Sequence, residues 1–585
     1  MTAFQIIETI IILGVVVVLF YTYGKISKYV FELYYTIDKH KKRVLLVGFI
    51  VTSLLGFGTY WCIYHLNIIP SLYYTLSLFM FDVKTPVELG LDNDEIDYIW
   101  IYGPAILAGM MSTLTILLLF FKEFIHELYA AYIVKSKSHI IVVGLGKKGM
   151  SYIDSELSKK NNNKHIIVIE KDVKNQHIKE YREKYYKQEF AIHIGDASTS
   201  ELLSKMNISD CEHLVLLAGK DTTNIEIALA ISRELKECTQ NVEYKNLFMH
   251  LEDSDLHNFY RAGGLFDDSS LLHIKMFSMD KNSARSLFLI HDIDGNGREY
   301  INTNKAFNIA VVGNSNLALE IIGQACEIAH FPNENEMTIH CIDSDIETYK
   351  KYIFHRYPGI GNIPNIKLKF QKIDFKSRRF YRKAFWLKDM TNVILCNTEA
   401  QINLDIASQL IDTTYLKCVV DKSMNTKIHI AIYDNEQIAE NINLNTQQFK
   451  YMYAFAEISK MASEYIVIDE GIEVVAKCIH GAYSEKYEPE KIFYDEEIEE
   501  KWFKNSALSD RDSNRAQAYH LSIKIKALGF KIDNPKCKSH DGLELLESNR
   551  ILFDSNEIGM LNARKNIIQN GKLMPLDDMS LVEKT

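Results

Sequence analysis

The sequence predicts a helical membrane segment of three spans with a possible re-entrant, pore-like helix, then two α/β Rossmann-type units and a small, mainly helical carboxyl-terminal region. Three observations carry this. Three apolar runs of about twenty residues crowd into the amino-terminal quarter, a strand, glycine turn and helix text opens at His139, and much of that text returns near Phe307. The chain has 585 residues, 47% hydrophobic and 24% charged, with 9 Pro and 27 Gly, a composition that folds rather than staying disordered. Lys and Arg number 66 against 76 Asp and Glu, a net charge of -10, which removes the global basic field a nucleic-acid binder needs. The 9 cysteines are scattered and contain no CxxC pair, so they read as reduced thiols rather than disulfides or a zinc cluster.

Phe4–Tyr23, Val44–Leu66 and Ile99–Phe121 each have the length and composition to cross about 30 Å of hydrocarbon as helix. The first lacks a basic residue before Lys25 and a small-residue cleavage site after its apolar stretch, so it reads as a retained anchor. Lys25, Lys28, Lys39, Lys41, Lys42 and Arg43 place the loop after it in the cytoplasm. Asp82, Glu88, Asp92, Asp94, Glu95 and Asp97 mark the next loop as external, which leaves everything beyond residue 122 inside a plasma-membrane protein. Within that outer loop Ser71–Phe81 is too short to span and too apolar for water, as a re-entrant or interfacial helix is. The chain continues FDVKTPVELG, without the TVGYG-like text of a potassium filter. Gly103, Pro104 and Gly109 are candidate hinges in the third span.

After the third span, His139–Val143 leads into Gly144-Leu145-Gly146-Lys147-Lys148-Gly149 and a helix-compatible stretch. Gly144 permits the tight turn, Gly146 lets a pyrophosphate approach the backbone, Gly149 lets helix and strand pack closely, and the helix start supplies positive dipole. A second strand, HIIVI at 165–169, ends in Glu170, a carboxylate placed to accept ribose hydroxyls. Strands at 191–194 and 213–218 follow, the former leading to Gly195-Asp196-Ala197. The copy comprises Phe307–Val312 before Gly313-Asn314-Ser315-Asn316-Leu317-Ala318, TIHCI ending in Asp343, and NVILC followed by INLDIASQL, which echoes NIEIALAIS at 224–232. There Ser315 and Ala318 replace the second and third glycines, and a Cβ at the second position obstructs phosphate approach, so this copy reads as structural or dimerising.

The strings VVGLGKKG, VIEKD, IGDAS and LLAGKDTTN resemble the TrkA-N (RCK) regulatory domains of potassium channels and transporters, closely over about 139–235 and more loosely over 305–465. The resemblance implies binding of NAD(H) or an adenine nucleotide (ATP or ADP), pairing into homo-oligomers such as dimers or tetramers, and coupling of occupancy to a gate in the lipid bilayer for monovalent cations, potassium above all. It assigns phosphates to Gly144, Gly146 and Gly149, the ribose to Glu170, and the adenine surroundings to Asp196 and Ala197. The domains are then 1–136 (membrane), 137–300 and 301–465 (two TrkA-N-like units) and 466–585 (carboxyl-terminal).

Beyond residue 466 the text turns helical. Trp502, Asn514, Arg515, Gln517, Ala518 and His520 suggest chemistry, yet a helix starting at Ser513 or Asn514, with an apolar face through Ala518 and Leu521 and a stop at Gly529, explains them. The stretch resembles the region beside the RyR module of bacterial proteins with two TrkA-N units, in degenerate form: 557–571 lacks the His and Trp that module carries. No catalytic set and no metal cluster accompanies the glycine turn, and His126-Glu127 lacks the second His of a zinc protease, so the chain is not expected to be an enzyme. The expected function is a nucleotide-regulated oligomeric channel. Its alternatives are a nucleotide-activated membrane-permeabilising effector in antiviral defence and a membrane-tethered sensing scaffold.

Overall fold

The computed structural model describes most of residues 45–484 together with 508–527; residues 1–44, 485–501 and 528–567 lie outside it, and with them the Phe4–Tyr23 run and most of the RyR-like stretch. By internal contacts the chain forms two compact units, Met1–Leu145 with Asn163–Leu214, and Gly146–Asn162 with Val215–Thr585.

Among the described residues of the first unit one helix, Leu45–Ile63, is long and apolar enough to cross a membrane by length and composition. A short apolar helix at Ile68–Ser77 extends through a tight turn at Leu78–Met80, where the re-entrant segment is expected, and a 22-residue helix follows at Ile99–Phe120 with Pro104 inside it. The three share a core of Tyr60, Tyr64, Leu78, Ile101 and Ala108. Outside that core Leu46, Phe49, Ile50, Leu54, Ile69, Ile106 and Met110 are exposed, a large apolar surface for the described part of one chain.

Directly afterwards comes the helix Lys122–Val134, whose buried positions His126, Tyr129, Ala130, Ile133 and Val134 fall on one stripe at helical spacing. That stripe packs on strands β2 (His165–Glu170) and β3 (Phe190–Ile194), and the Tyr129 hydroxyl donates to the Gln188 carbonyl at 3.2 Å. The connector is thus a docked helix. β1 (His139–Val143) is wholly buried and pairs in parallel with β2, His139 against His165, and β2 pairs in parallel with β3. Continuous burial explains why these strands read as unbroken Ile and Val runs.

The first six-stranded sheet has the order β3-β2-β1-β4-β5-β6, with β4 at His213–Leu216, β5 at Lys245–His250 and β6 at Leu272–Phe277. The second, wholly in the second unit, comprises β7 (Asn308–Val312), β8 (Met337–Asp343), β9 (Ile366–Lys372), β10 (Asn392–Leu395), β11 (Lys427–Ala431) and β12 (Met452–Phe455). Its order, β12-β11-β10-β7-β8-β9, is the first order read from the other end, and its strands are parallel throughout. Each order reverses beside its first strand, the switch point where doubly wound sheets receive ligands. Alternate residues of β7 feed two cores, Ile309 and Val311 on one face, Ala310 and Val312 on the other.

The carboxyl-terminal helix differs from expectation at its start. It runs from Leu508 to Ala527, so Ser513 and Asn514 are interior residues, and Asp510 supplies the first-turn carboxylate that favours a helix start. Asn514 and Arg515 are buried because this helix packs on Val474–Ser484.

Candidate functional site

In the first unit Gly144, Glu170, Asp196 and Ala197 gather at the carboxyl ends of β1, β2 and β3. Gly144 has φ +100°, a conformation that L side chains resist, and its amide donates to the Ile169 carbonyl at 2.9 Å. Glu170 staples the turn: one carboxylate oxygen accepts from the Leu145 amide at 2.8 Å and the other from the Asp172 amide at 2.9 Å. The Asn175 side-chain amide donates to both the Leu145 carbonyl and Glu170, at 3.0 and 3.1 Å. A carboxylate has about four acceptor sites, so Glu170 retains capacity for hydroxyl donors. Asp196 pairs with Lys171 at 2.6 Å and accepts from the Ser198 amide and hydroxyl, and these contacts, Lys171 foremost, hold its carboxyl down at about 2. Ala197 is buried beside it.

In the second unit Gly146 caps the helix Lys147–Leu157 in an extended conformation, φ −89° and ψ −176°, and a Cβ built there meets nothing within 4 Å. Among the described residues, no packing requires glycine at 146. The requirement expected from the sequence is close approach of a ligand, and the open space fits it. Gly149 is buried in the first turns of the same helix, as close packing demands.

The corresponding turn of the second sheet is built differently. Gly313 has φ +106°, and a Cβ there would stand 2.9 Å from the Asn397 amide nitrogen and the Cys396 carbonyl oxygen. Ser315 donates its hydroxyl to that Cys396 carbonyl and accepts from the Ala318 amide at 3.2 Å, so its side chain closes the turn onto its own sheet. Asp343 accepts from the Asp345 amide at 2.7 Å, as Glu170 does from Asp172, and burial raises its carboxyl.

Sequence reasoning overlooked a matched pair. Asn224 accepts from the Ala218 amide at 3.0 Å and donates to the Ala218 and His250 carbonyls at 3.2 and 2.9 Å. Asn403 repeats this with the Asn397 amide at 2.9 Å and the Asn397 and Ala431 carbonyls at 3.2 and 3.0 Å. Both are wholly buried and tie two neighbouring strand ends. The signal was present in NIEIALAIS and INLDIASQL, where these asparagines align.

Arg515 also has a role that placing it in a helix did not supply. Its guanidinium and that of Arg285 both engage Glu473, at 2.6 and 2.7 Å, and all three are buried. Burial alone would raise Glu473, but Arg515 and then Arg285 reverse that and hold it ionised far below the usual carboxylate range.

No curated protein matches this chain. Among solved structures it is similar to GsuK bound to ADP, with 11% identity and a TM-score of 0.34 over 73% of this chain and 96% of that one. It is also similar to the human SLO3 gating ring, with 9% identity and a TM-score of 0.38 over 59% of this chain and 86% of that one. The stretch that carries Gly144, Gly146, Gly149, Glu170, Asp196, Ala197 and Asn224, residues 140–255, matches the TrkA-N domain family.

Proposed function

We propose that this chain is the subunit of an oligomeric membrane ion channel whose TrkA-N unit binds NAD(H) or an adenine nucleotide and gates the pore. The docked helix Lys122–Val134 carries the proposal. It follows the long apolar helix Ile99–Phe120 after a single residue and packs on β2 and β3, the strands whose carboxyl ends bear Glu170 and Asp196. A ligand that reshapes those strand ends in one gate state and not the other biases the pore; about 1–3 kcal/mol of differential binding shifts the equilibrium roughly 5–150-fold.

One observation favours a second reading, a weakly selective permeation path of the effector type. Carbonyls that a potassium filter leaves free for the ion are taken here by hydroxyls: Phe79 by Ser112 at 3.1 Å, Asp82 by Ser77 at 2.8 Å, Lys84 by Tyr60 at 3.3 Å. The Lys84 ammonium, 3.1 Å from Asp82, adds a cation to the same segment.

Liposomes carrying the purified chain, loaded with potassium or sodium and exposed to NADH, NAD, ATP or ADP, test both. A nucleotide-dependent flux that Gly146→Trp abolishes, with thermal stability unchanged, supports gating at the TrkA-N unit. Equal potassium and sodium fluxes select the second reading; a strong potassium preference selects the first. Silence under every nucleotide overturns both and leaves the scaffold.

A further inference from the structure

A cavity of about 270 Å³ lies within the second unit, and none of the six residues assigned to the nucleotide lines it. Its walls include the starts of three helices, Lys147–Leu157, Met279–Ile290 and Asn316–Ile328, of 11, 12 and 13 residues. First-turn amides have no acceptor within their own helix and carry the positive end of its dipole. Side chains with unused hydrogen-bonding capacity face the same space. The Lys148 ammonium lies 3.4 Å from His250 Nε2 and makes no other hydrogen bond among the described residues. His250 is held neutral, pushed down to about 3 by burial and by Lys148, so it accepts from the ammonium and adds no charge. Ser283, only 3% exposed, lines the cavity with no hydrogen-bond partner among the described residues.

We propose that this cavity binds a small phosphate-bearing anion at a second ligand site, held by Lys148, Ser283 and the Met279, Asp280, Asn316 and Leu317 amides, the Lys281 and Ala318 amides being taken by the Ser278 and Ser315 hydroxyls. The donors converge from several directions, which suits a tetrahedral group better than a planar carboxylate. The volume excludes a dinucleotide and admits inorganic phosphate or a small phosphomonoester. The site extends the gating proposal by giving the chain a second input, and it does not depend on occupancy of the first.

Asp280, also in the wall, makes the site sensitive to pH. Burial, then Glu252 and Glu320, push its carboxyl up to about 7, against the opposing pull of Lys148 and Arg356. Lys148, Glu252, His250 and Tyr433 are the other titratable groups in the wall, and of these His250 stays neutral across that range. An ionised Asp280 repels an anion and a protonated one donates to it. Anion binding therefore strengthens as pH falls through about 7.

The test is calorimetric titration of the full-length chain with sulfate, whose charge is constant from pH 6 to 8, so that only the protein titrates. Saturable binding should weaken at least tenfold in Lys148→Met. It should tighten several-fold at pH 8 in Asp280→Asn, which also loses the pH dependence. Glu170→Gln, which addresses the nucleotide site from outside the cavity wall, should leave sulfate binding within twofold, so failure of either proposal is separable from failure of the other. Parallel titrations with inorganic phosphate and glycerol phosphate identify the source: tighter binding of the ester means an organic ligand, equal binding means the free anion. Absence of saturable binding at tens of millimolar, or binding indifferent to both Lys148→Met and Asp280→Asn, overturns the site.

Discussion

The two sheets share strand order, a buried asparagine clamp and a carboxylate ending their second strand, yet they part at the second glycine of the turn. Gly146 borders open space, whereas Ser315 closes onto the Cys396 carbonyl. One hydroxymethyl group separates a turn whose second position stands open from a turn whose second position is tied to its own sheet. The two sheets keep in common what holds each together, Asn224 and Asn403, and differ at a turn position that packing alone leaves open.

Matched substitutions sharpen this contrast. Gly313→Ala should cost about 3 kcal/mol, from a disfavoured positive φ and overlap with rigid backbone, while Gly146→Ala should stay within about 0.5 kcal/mol of wild type. Denaturant unfolding of the purified chain measures both, and equal costs would break the distinction. Asn224→Ala and Asn403→Ala should each cost about 2–3 kcal/mol and match one another, because each leaves buried strand-end groups without partners. A much larger loss at one of them would mean that the clamps are not equivalent. Ser315→Ala should cost only about 1 kcal/mol, since it removes one net hydrogen bond and creates a small space.

The smallest effect concerns acid. Because Lys171 and Ser198 depress the Asp196 carboxyl to about 2, its contribution is complete above the unfolded value near 4 and disappears as pH falls from there toward about 2. Asp343, raised by burial, changes in the opposite sense: it favours the folded state when protonated and loses that contribution as pH rises through its folded value. Unfolding midpoints of Asp196→Asn and Asp343→Asn between pH 3 and 6 should shift in opposite directions relative to wild type.

Much of this was legible in the residues. Unbroken apolar strands, the glycine turn and Glu170 announce themselves locally, because a fully buried parallel strand and a φ above zero each restrict composition. β9 was harder to read, since IKLKFQK alternates as a half-exposed edge strand does and lacks the unbroken apolar run of its buried neighbours. The cavity was invisible because Lys148, Ser283 and Ser315 are far apart in sequence and meet only through the topology. The start of the last helix was misplaced because Ser513 and Asn514 look like caps, and only packing against Val474–Ser484 shows that they are interior.

The docked helix Lys122–Val134 also imposes a rule of phase. A slack tether transmits length, so residues added to it dilute the pull gradually. A helix seated by its stripe of Tyr129, Ala130 and Ile133 transmits rotation, and one inserted residue turns everything before it by about 100° while advancing it only about 1.5 Å. If the proposed gating runs through this helix, nucleotide-dependent flux should vary periodically with insertion length, failing at one or two added residues and recovering near a full turn.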